Sequence, residues 1–109
     1  MRNHDHLGSI TAFVTTAQHG SFTAAADQLG LSKQFVSRRL IQLEDRLGVR
    51  LLNRTTRHVS ITSDGAAYYE RCVRILSDVR EAEESLSRTR LSPSGRLRVD
   101  APTALASEL

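Results

Sequence analysis

The chain has 109 residues, a formal net charge of +3 and a single cysteine, Cys72. This length suits one small domain, and a lone cysteine excludes an intrachain disulfide and favours a reducing compartment. No apolar run approaches the length needed to cross a membrane, and the first six residues lack the apolar core of a signal peptide. We therefore expect a soluble, cytoplasmic protein.

The first predicted helix starts near Asp5 or Ser9 and ends near His19 and Gly20. Its apolar residues recur at helical spacing: Leu7, Ile10, Phe13, Val14 and Ala17. We expect this helix to pack across the two that follow and to complete a three-helix core.

The stretch from Ser21 to Gly48 predicts two further helices separated by a tight turn. Ser21 is placed to cap the first of them, and Gly30 ends it where a left-handed residue is needed. Ser32 is placed to cap the second, whose apolar residues recur every three or four positions: Val36, Leu40, Leu43 and Leu47. This pattern is typical of a helix-turn-helix, whose second helix enters a major groove.

The other side of this second helix, about residues 32–47, carries polar groups. Gln34 and Arg38 lie opposite the apolar stripe, Phe35 and Ser37 flank them, and Lys33 lies in the first turn. Amide, guanidinium, ammonium and hydroxyl groups read base edges and bind phosphate oxygens, and a phenyl ring could contact a thymine methyl. The alternative is an ordinary solvated face with one stray aromatic.

Positive charge is concentrated in the middle third of the chain. Glu44 and Asp45 are the only acids between residues 33 and 57, whereas residues 64–84 are rich in acids. The basic residues of the middle third are Lys33, Arg38, Arg39, Arg46, Arg50, Arg54 and Arg57. Such a distribution suits a surface that binds a polyanion.

After Gly48 the pattern changes from helical to alternating, which predicts two short strands joined by an arginine-bearing tip. We expect a β-hairpin wing in which Arg57 enters a narrow minor groove, where negative potential is concentrated, and Arg54 lies nearer the DNA backbone. The alternative is a solvated turn whose arginines protect a sheet edge from aggregation.

Thr62 is placed to cap a long helix that has Asp64 in its first turn and extends to about Arg90. Such a helix is too long for a small core to cover, so its apolar seam needs a partner, most simply a second copy of the chain. Packing against a missing domain is the alternative. The seam consists of Tyr68, Cys72, Ile75, Val79, Ala82 and Leu86.

Residues 92–95, with the sequence SPSG, predict a hinge, and Leu97 and Val99 then alternate with charged residues as a strand would. Because this strand has no pairing partner in the chain, we expect the sequence to be the front of a longer protein. The predicted fold is mainly α, a winged helix-turn-helix followed by a long linker and dimerisation helix. The expected divisions are residues 1–62, 63–91 and 92–109.

These features together resemble the N-terminal DNA-binding domain and linker helix of the LysR-type transcriptional regulators, over roughly residues 7 to 100. The triplet Lys33-Gln34-Phe35 departs from the glutamine with proline or a small residue that many members carry, so base preference is not transferred. The matching residues are Gly20, Ser21, Phe22, Thr23, Ala25, Ala26, Leu29, Ser32, Val36, Ser37, Arg38, Leu43, Glu44, Leu47, Gly48, Leu51, Leu52, Arg54, Arg57, Thr62 and Gly65.

The resemblance implies a dimer held by antiparallel linker helices, tetramers in full-length proteins, and binding to interrupted palindromes near promoters. It implies that a small-molecule effector would bind only through the missing C-terminal domain. It also implies DNA contacts at the positions of Lys33, Gln34, Ser37, Arg38 and Arg57. The complete set expected to bind DNA is Thr23, Ser32, Lys33, Gln34, Phe35, Ser37, Arg38, Arg54 and Arg57.

The sequence therefore predicts sequence-specific binding of double-stranded DNA by a transcriptional regulator. The competing hypothesis is a winged helix that binds protein, and the basic wing and helix start argue against it because such surfaces are costly to desolvate. No arrangement of residues predicts catalysis or a cofactor, and His4, His6 and His19 make only a weak metal hypothesis.

Overall fold

The computed structural model describes residues 5–55 and 58–91, and its elements are four α-helices and one antiparallel hairpin in this part of the chain. The predicted hinge, the strand after it and the wing-tip residue Arg57 lie outside the described residues. The elements, in order, are α1 His6–His19, α2 Phe22–Leu29, α3 Lys33–Leu47, β1 Leu52–Arg54, β2 Val59–Ile61 and α4 Ser63–Leu91. The predicted fold class, a mainly α winged helix-turn-helix followed by a long helix, is confirmed.

The first three helices begin at side-chain caps that satisfy amide groups of the first turn. The caps are Asp5, whose Oδ1 accepts from the Gly8 N–H at 2.9 Å, Ser21, whose Oγ accepts from Ala24 at 3.1 Å, and Ser32, whose Oγ accepts from Phe35 at 3.0 Å. Between α2 and α3, Gly30 has a φ of 70°, a left-handed conformation that costs glycine little. The turn between α2 and α3 is therefore formed by Gly30 and the Ser32 cap, as the sequence predicted.

The core lies where α1, α2, α3, the hairpin and the start of α4 meet. Phe13 is fully buried at its centre, and its ring centroid lies 5.6 Å from that of Tyr68 and 6.3 Å from that of Tyr69. Cys72 is also fully buried here, so its thiol belongs to this core and has no surface for a second chain. Leu47, predicted on the buried stripe of α3, is instead 37% exposed because α3 extends past the core at this end.

The hairpin pairs Leu52 with Ile61, Asn53 with Ser60 and Arg54 with Val59. Beyond the strands, the Thr55 N–H donates to the His58 carbonyl at 2.9 Å. The wing is attached to the helices at the start of β2, since the Val59 N–H donates to the carbonyl of Gly20, at the end of α1, at 3.3 Å. Arg54 thus lies at the end of β1, in the strand that enters the wing.

The start of α4 is anchored to the segment that enters the wing. The Thr62 hydroxyl accepts from the Gly65 N–H at 2.8 Å and donates to the Arg50 carbonyl at 2.7 Å. Gly65 packs so closely that a Cβ there would collide with the carbonyl oxygen of Leu51. The predicted cap at Thr62 is therefore confirmed, and Gly65 is required by this close approach.

The chain forms two compact units, and the first extends to Leu76 while the second begins at Ser77. The first turns of α4 therefore belong to the same unit as the winged helix. The helix has 29 residues, which at 1.5 Å per residue gives a length of about 44 Å. Among the described residues, no helix is both long and apolar enough to span a membrane.

Candidate nucleic-acid interface

The first two turns of α3 present polar side chains on the side opposite the core. Val36 and Leu40 are 0% and 1% exposed and fix the helix against α1 and α2. Gln34 and Arg38 are exposed on the opposite side, and Ser37 is half-buried at the edge. The periodicity of the sequence therefore placed these side chains correctly, and they form a polar strip along the helix.

Phe35 lies on the flank of this strip and is 39% exposed. The guanidinium carbon of Arg39, one turn later, lies 5.2 Å from the centroid of its ring. Arg39 is in turn paired with Asp5, because its Nη1 lies 3.2 Å from the Asp5 Oδ2. A cation stacked on an exposed ring contributes about 0.5–1 kcal/mol, which is enough to favour one orientation of the ring.

A second arginine joins α3 to the wing. The Arg54 Nη2 lies 2.9 Å from the Glu44 Oε1, and the guanidinium carbon of Arg54 lies 5.5 Å from the centroid of the Phe22 ring. The Oε2 of Glu44 also accepts from the backbone N–H groups of Leu51 and Leu52, at 2.8 and 3.0 Å. The Glu44 carboxylate of α3 therefore binds both the backbone at the start of β1 and the side chain of Arg54 at its end.

The environment of Glu44 favours its ionised form. Its side chain is only 8% exposed, and this burial acts to raise the pKa of the carboxyl group. The hydrogen bonds from Arg54 and from the amides of Leu52 and Leu51 outweigh burial and hold the pKa below its ordinary value. A buried carboxylate that accepts this many hydrogen bonds is a structural anchor, and the Arg54 guanidinium forms its ion pair with this carboxylate.

The remaining basic side chains of the middle third that the structure describes are open to solvent. Lys33 and Arg38 lie on the exposed side of α3, while Arg46 and Arg50 lie at and beyond its C-terminal end. Thr23 and Ser32, both expected near DNA, are exposed as well, and Ser32 also caps α3. The predicted residues of α2 and α3 therefore lie at exposed positions of one helix-turn-helix, apart from the half-buried Ser37.

The apolar seam of α4 is divided between the two units. In the first, Tyr68 is half-buried and Ile75 is 42% exposed. Ile75 and Tyr68 border a groove of about 580 Å³ whose other wall includes Leu47 and Val49. In the second unit, the seam residues range from half-buried Val79 to exposed Ala82 and Leu86.

The described residues contain no cluster of three metal-ligating side chains. Cys72 is buried, and this burial raises the pKa of its thiol, which keeps it protonated and a poor nucleophile.

Sequence reasoning missed the roles of Glu44, Arg54 and Arg39. Glu44 follows Leu40 by four positions and Val36 by eight, so it falls at the edge of the apolar stripe of α3. An acid at such a position is a signal for a buried hydrogen-bonded carboxylate, although its partners cannot be found from helical periodicity.

Comparison with protein families supports this interface. Residues 7–66 match the model of bacterial regulatory helix-turn-helix proteins of the lysR family. Over 102 residues the chain is 49% identical to an HTH-type transcriptional repressor of Pseudomonas aeruginosa, covering 94% of this chain and 32% of that protein. It is 43% identical over 100 residues to the regulator CrgA of Neisseria meningitidis, covering 92% of this chain and 33% of CrgA. The chain thus spans about a third of the length of these relatives.

Solved structures with the same fold include domains crystallised with DNA. The BenM DNA-binding domain in complex with catB site 1 DNA has a TM-score of 0.75 and 33% sequence identity, covering 84% of this chain and 98% of that one. The CbnR DNA-binding domain in complex with DNA has a TM-score of 0.66 and 34% identity, covering 79% and 95% of the two chains. The chain therefore belongs to the LysR family of bacterial regulatory helix-turn-helix proteins and carries its sequence-specific DNA-binding domain.

Proposed function

We propose that the chain is the DNA-binding part of a transcriptional regulator. It binds the operator DNA with α3 in the major groove and the wing in the adjacent minor groove. The observation that carries this proposal is the exposed polar strip of α3, formed by Gln34 and Arg38 with Lys33 at the helix start. The BenM and CbnR domains, which share this fold, bind DNA in their structures.

Different side chains have different roles in this proposal. The exposed residues Thr23 and Ser32, at the starts of their helices, contact phosphate oxygens. Arg54 holds the wing through Glu44, so we assign it a positioning role instead of the expected contact with the DNA backbone. The residues that face base edges are Lys33, Gln34, Phe35, Ser37 and Arg38.

Arg57 is proposed as the wing residue that enters the minor groove, on the grounds of its position between Thr55 and His58, which pair at the base of the tip. A narrow A·T-rich minor groove has an enhanced negative potential that attracts a guanidinium group. Arg57→Ala should then weaken binding mainly at operators with A·T-rich flanks. Equal loss on all duplexes, measured by titration of matched operators, would make Arg57 a simple phosphate contact.

A homodimer through α4 is the proposed binding form, because a palindromic operator requires two copies of α3 related by a two-fold axis. The partner helix would cover the exposed seam residues Ile75 and Leu86, 42% and 68% exposed. Cys72 takes no part, since it is buried within its own chain. Charged residues at positions 75 and 79 should give monomers in analytical ultracentrifugation, and a surviving dimer would move the interface elsewhere.

The whole protein is proposed to be longer than this chain, since its relatives are about three times as long. A small-molecule effector would bind the part beyond residue 109, and tetramers would form in the full-length protein. A regulator of this kind acts on the nucleoid in the cytoplasm.

The decisive experiment is selection of duplexes from a random pool by the purified chain, followed by titration of the selected operator at several salt concentrations. We expect one consensus, and log affinity should fall linearly with log salt because phosphate contacts release counterions. Arg38→Ala should change the consensus at one position, at a cost of about 1–3 kcal/mol. Arg88→Ala is the matched control, since it removes the same charge from an exposed position of α4.

An affinity that does not change with salt concentration, or a pool that yields no consensus, would contradict the proposal. Either result would favour the competing function, a winged helix that binds another protein, because protein interfaces lack the counterion atmosphere of a duplex.

A further inference from the structure

We infer that Phe35 recognises the C5 methyl group of a thymine in the major groove, and that Arg39 positions its ring for this contact. This inference rests on the proposed docking of α3 and adds to it a determinant of sequence preference. Phe35 lies in the first turn of α3, beside the polar strip of Gln34 and Arg38.

Phe35 is 39% exposed, so part of its ring is open to solvent on the surface that carries Gln34 and Arg38. Phe35 does not belong to the buried core, and α3 is held there by Val36, Leu40 and Leu43. A phenyl ring beside amide and guanidinium groups on a recognition helix gives that surface an apolar element. The apolar element of the major groove is the thymine methyl group.

The Phe35 ring is stacked against an arginine of its own helix, Arg39. The Arg39 guanidinium carbon lies 5.2 Å from the ring centroid, over one face of the ring. Arg39 is only 24% exposed in its side chain, and its Nη1 lies 3.2 Å from the Oδ2 of Asp5. The other oxygen of Asp5 accepts from the Gly8 N–H at 2.9 Å, which fixes the carboxylate at the start of α1. A contact chain thus runs from α1 through Arg39 to the Phe35 ring.

This arrangement gives Arg39 a role distinct from that of Arg38. The Arg38 side chain is exposed and available to DNA, whereas the Arg39 guanidinium has a carboxylate partner and a ring partner within the protein. Arg39 is therefore a positioning residue, and Phe35 is the group that contacts the base. Cytosine and uracil lack the methyl group, so the site distinguishes thymine from both.

The test compares thymine with deoxyuridine, which removes the methyl group and leaves all base-pairing and groove hydrogen-bonding groups unchanged. After operators are selected from a random pool, each consensus thymine is replaced singly by deoxyuridine, and the dissociation constants are measured. The unaltered chain should bind about three- to fivefold more weakly at one thymine per half-site, as expected for the loss of one buried methyl group. Phe35→Ala should bind the two duplexes equally.

The role of Arg39 is tested by the same ratio of affinities. Arg39→Ala should bring the thymine preference close to one, and Arg39→Lys should restore part of it, because an ammonium group can still stack on the ring. Val73→Ala is the matched control, since Val73 is a similarly exposed apolar residue, 37% exposed, on α4. It should leave the preference unchanged.

A thymine preference that survives in Phe35→Ala, or its absence from the unaltered chain, would overturn this inference while the selected consensus still supports the proposed function. A preference unchanged in Arg39→Ala would overturn the positioning role. Failure to select any consensus would overturn the proposed function and this inference with it.

Discussion

Arg54 and Arg39 each contact the same two kinds of partner, a carboxylate and a phenyl ring, but the two carboxylates differ in burial. Each guanidinium lies beside one carboxylate and over one phenyl ring, Glu44 and Phe22 for Arg54, and Asp5 and Phe35 for Arg39. The two arginine side chains are about equally exposed, at 23% and 24%, but the Glu44 side chain is 8% exposed and that of Asp5 is 64% exposed.

The burial of the carboxylate therefore decides what each arginine does. Glu44 is withdrawn from water and receives two backbone N–H groups in addition to Arg54, so loss of any partner leaves a buried polar group unsatisfied. Asp5 keeps its contact with water, which screens its attraction to Arg39. The first pair maintains the fold, whereas the second can only bias the orientation of an exposed ring.

The largest effect should come from Glu44→Ala, which removes the acceptor of the Arg54 guanidinium and of two amides. We expect the free energy of unfolding to fall by about 3–5 kcal/mol, a large share of the total for a small domain. Urea denaturation followed by circular dichroism measures this loss. Glu70→Ala, an exposed acid on α4, is the control and should change stability very little; a similar loss in both variants would refute the anchoring role of Glu44.

Exchange of each arginine for lysine separates the two settings at constant charge. Arg54→Lys should lower the free energy of unfolding by about 1.5–3 kcal/mol, because an ammonium group cannot reproduce the bidentate contact with a buried carboxylate. Arg39→Lys should cost clearly less in the same thermal or urea denaturation. If the two variants lost equal stability, burial of the carboxylate would not be the deciding factor.

The pH dependence of stability should show the same anchor. The pKa of Glu44 in the folded chain lies below its ordinary value of 4.5, so its contribution is complete above that pH and is lost as the pH falls through the folded pKa. The stability difference between the unaltered chain and Glu44→Gln, which cannot titrate, should therefore shrink as the pH falls below about 4.5. A constant difference from pH 7 to pH 3, measured by urea denaturation, would contradict this assignment.

The smallest effect should be the coupling between Asp5 and Arg39. A double-mutant cycle with Asp5→Ala and Arg39→Ala separates the pair from the capping role of Asp5. Because Asp5 is exposed, the coupling should be weak and should vanish at high salt. A coupling that persisted in 1 M salt would show that this pair is also a structural anchor, because the Debye length is then only about 3 Å.

The local features of the fold were predictable from the sequence. Ser21 and Ser32 cap α2 and α3, and Gly30 adopts the left-handed conformation, because caps and glycine turns depend on residues close together in the chain. The outward direction of Gln34 and Arg38 follows from helical periodicity alone. The wing was predictable from the change to alternation after Gly48.

The roles that depend on distant contacts were not predictable. Cys72 falls on the apolar seam by periodicity, but its burial depends on where the first turns of α4 pack against the core. Arg54 was counted with the DNA-binding arginines because its charge is visible in the sequence and its pairing with Glu44 is not. The DNA contacts of the interface remain predictions, since no local pattern specifies which base each side chain meets.

The peptide groups at the entrance to the wing have a consequence for its motion. The Leu51 N–H donates to Glu44 of α3, and its carbonyl accepts from the Thr62 N–H, before α4, at 3.0 Å. Release of β1 therefore requires the hydrogen bonds to Glu44 and to Thr62 to break together. Amide protons of Leu51 and Leu52 should consequently exchange with deuterium only when the whole domain opens, a protection unusual for a hairpin of three-residue strands.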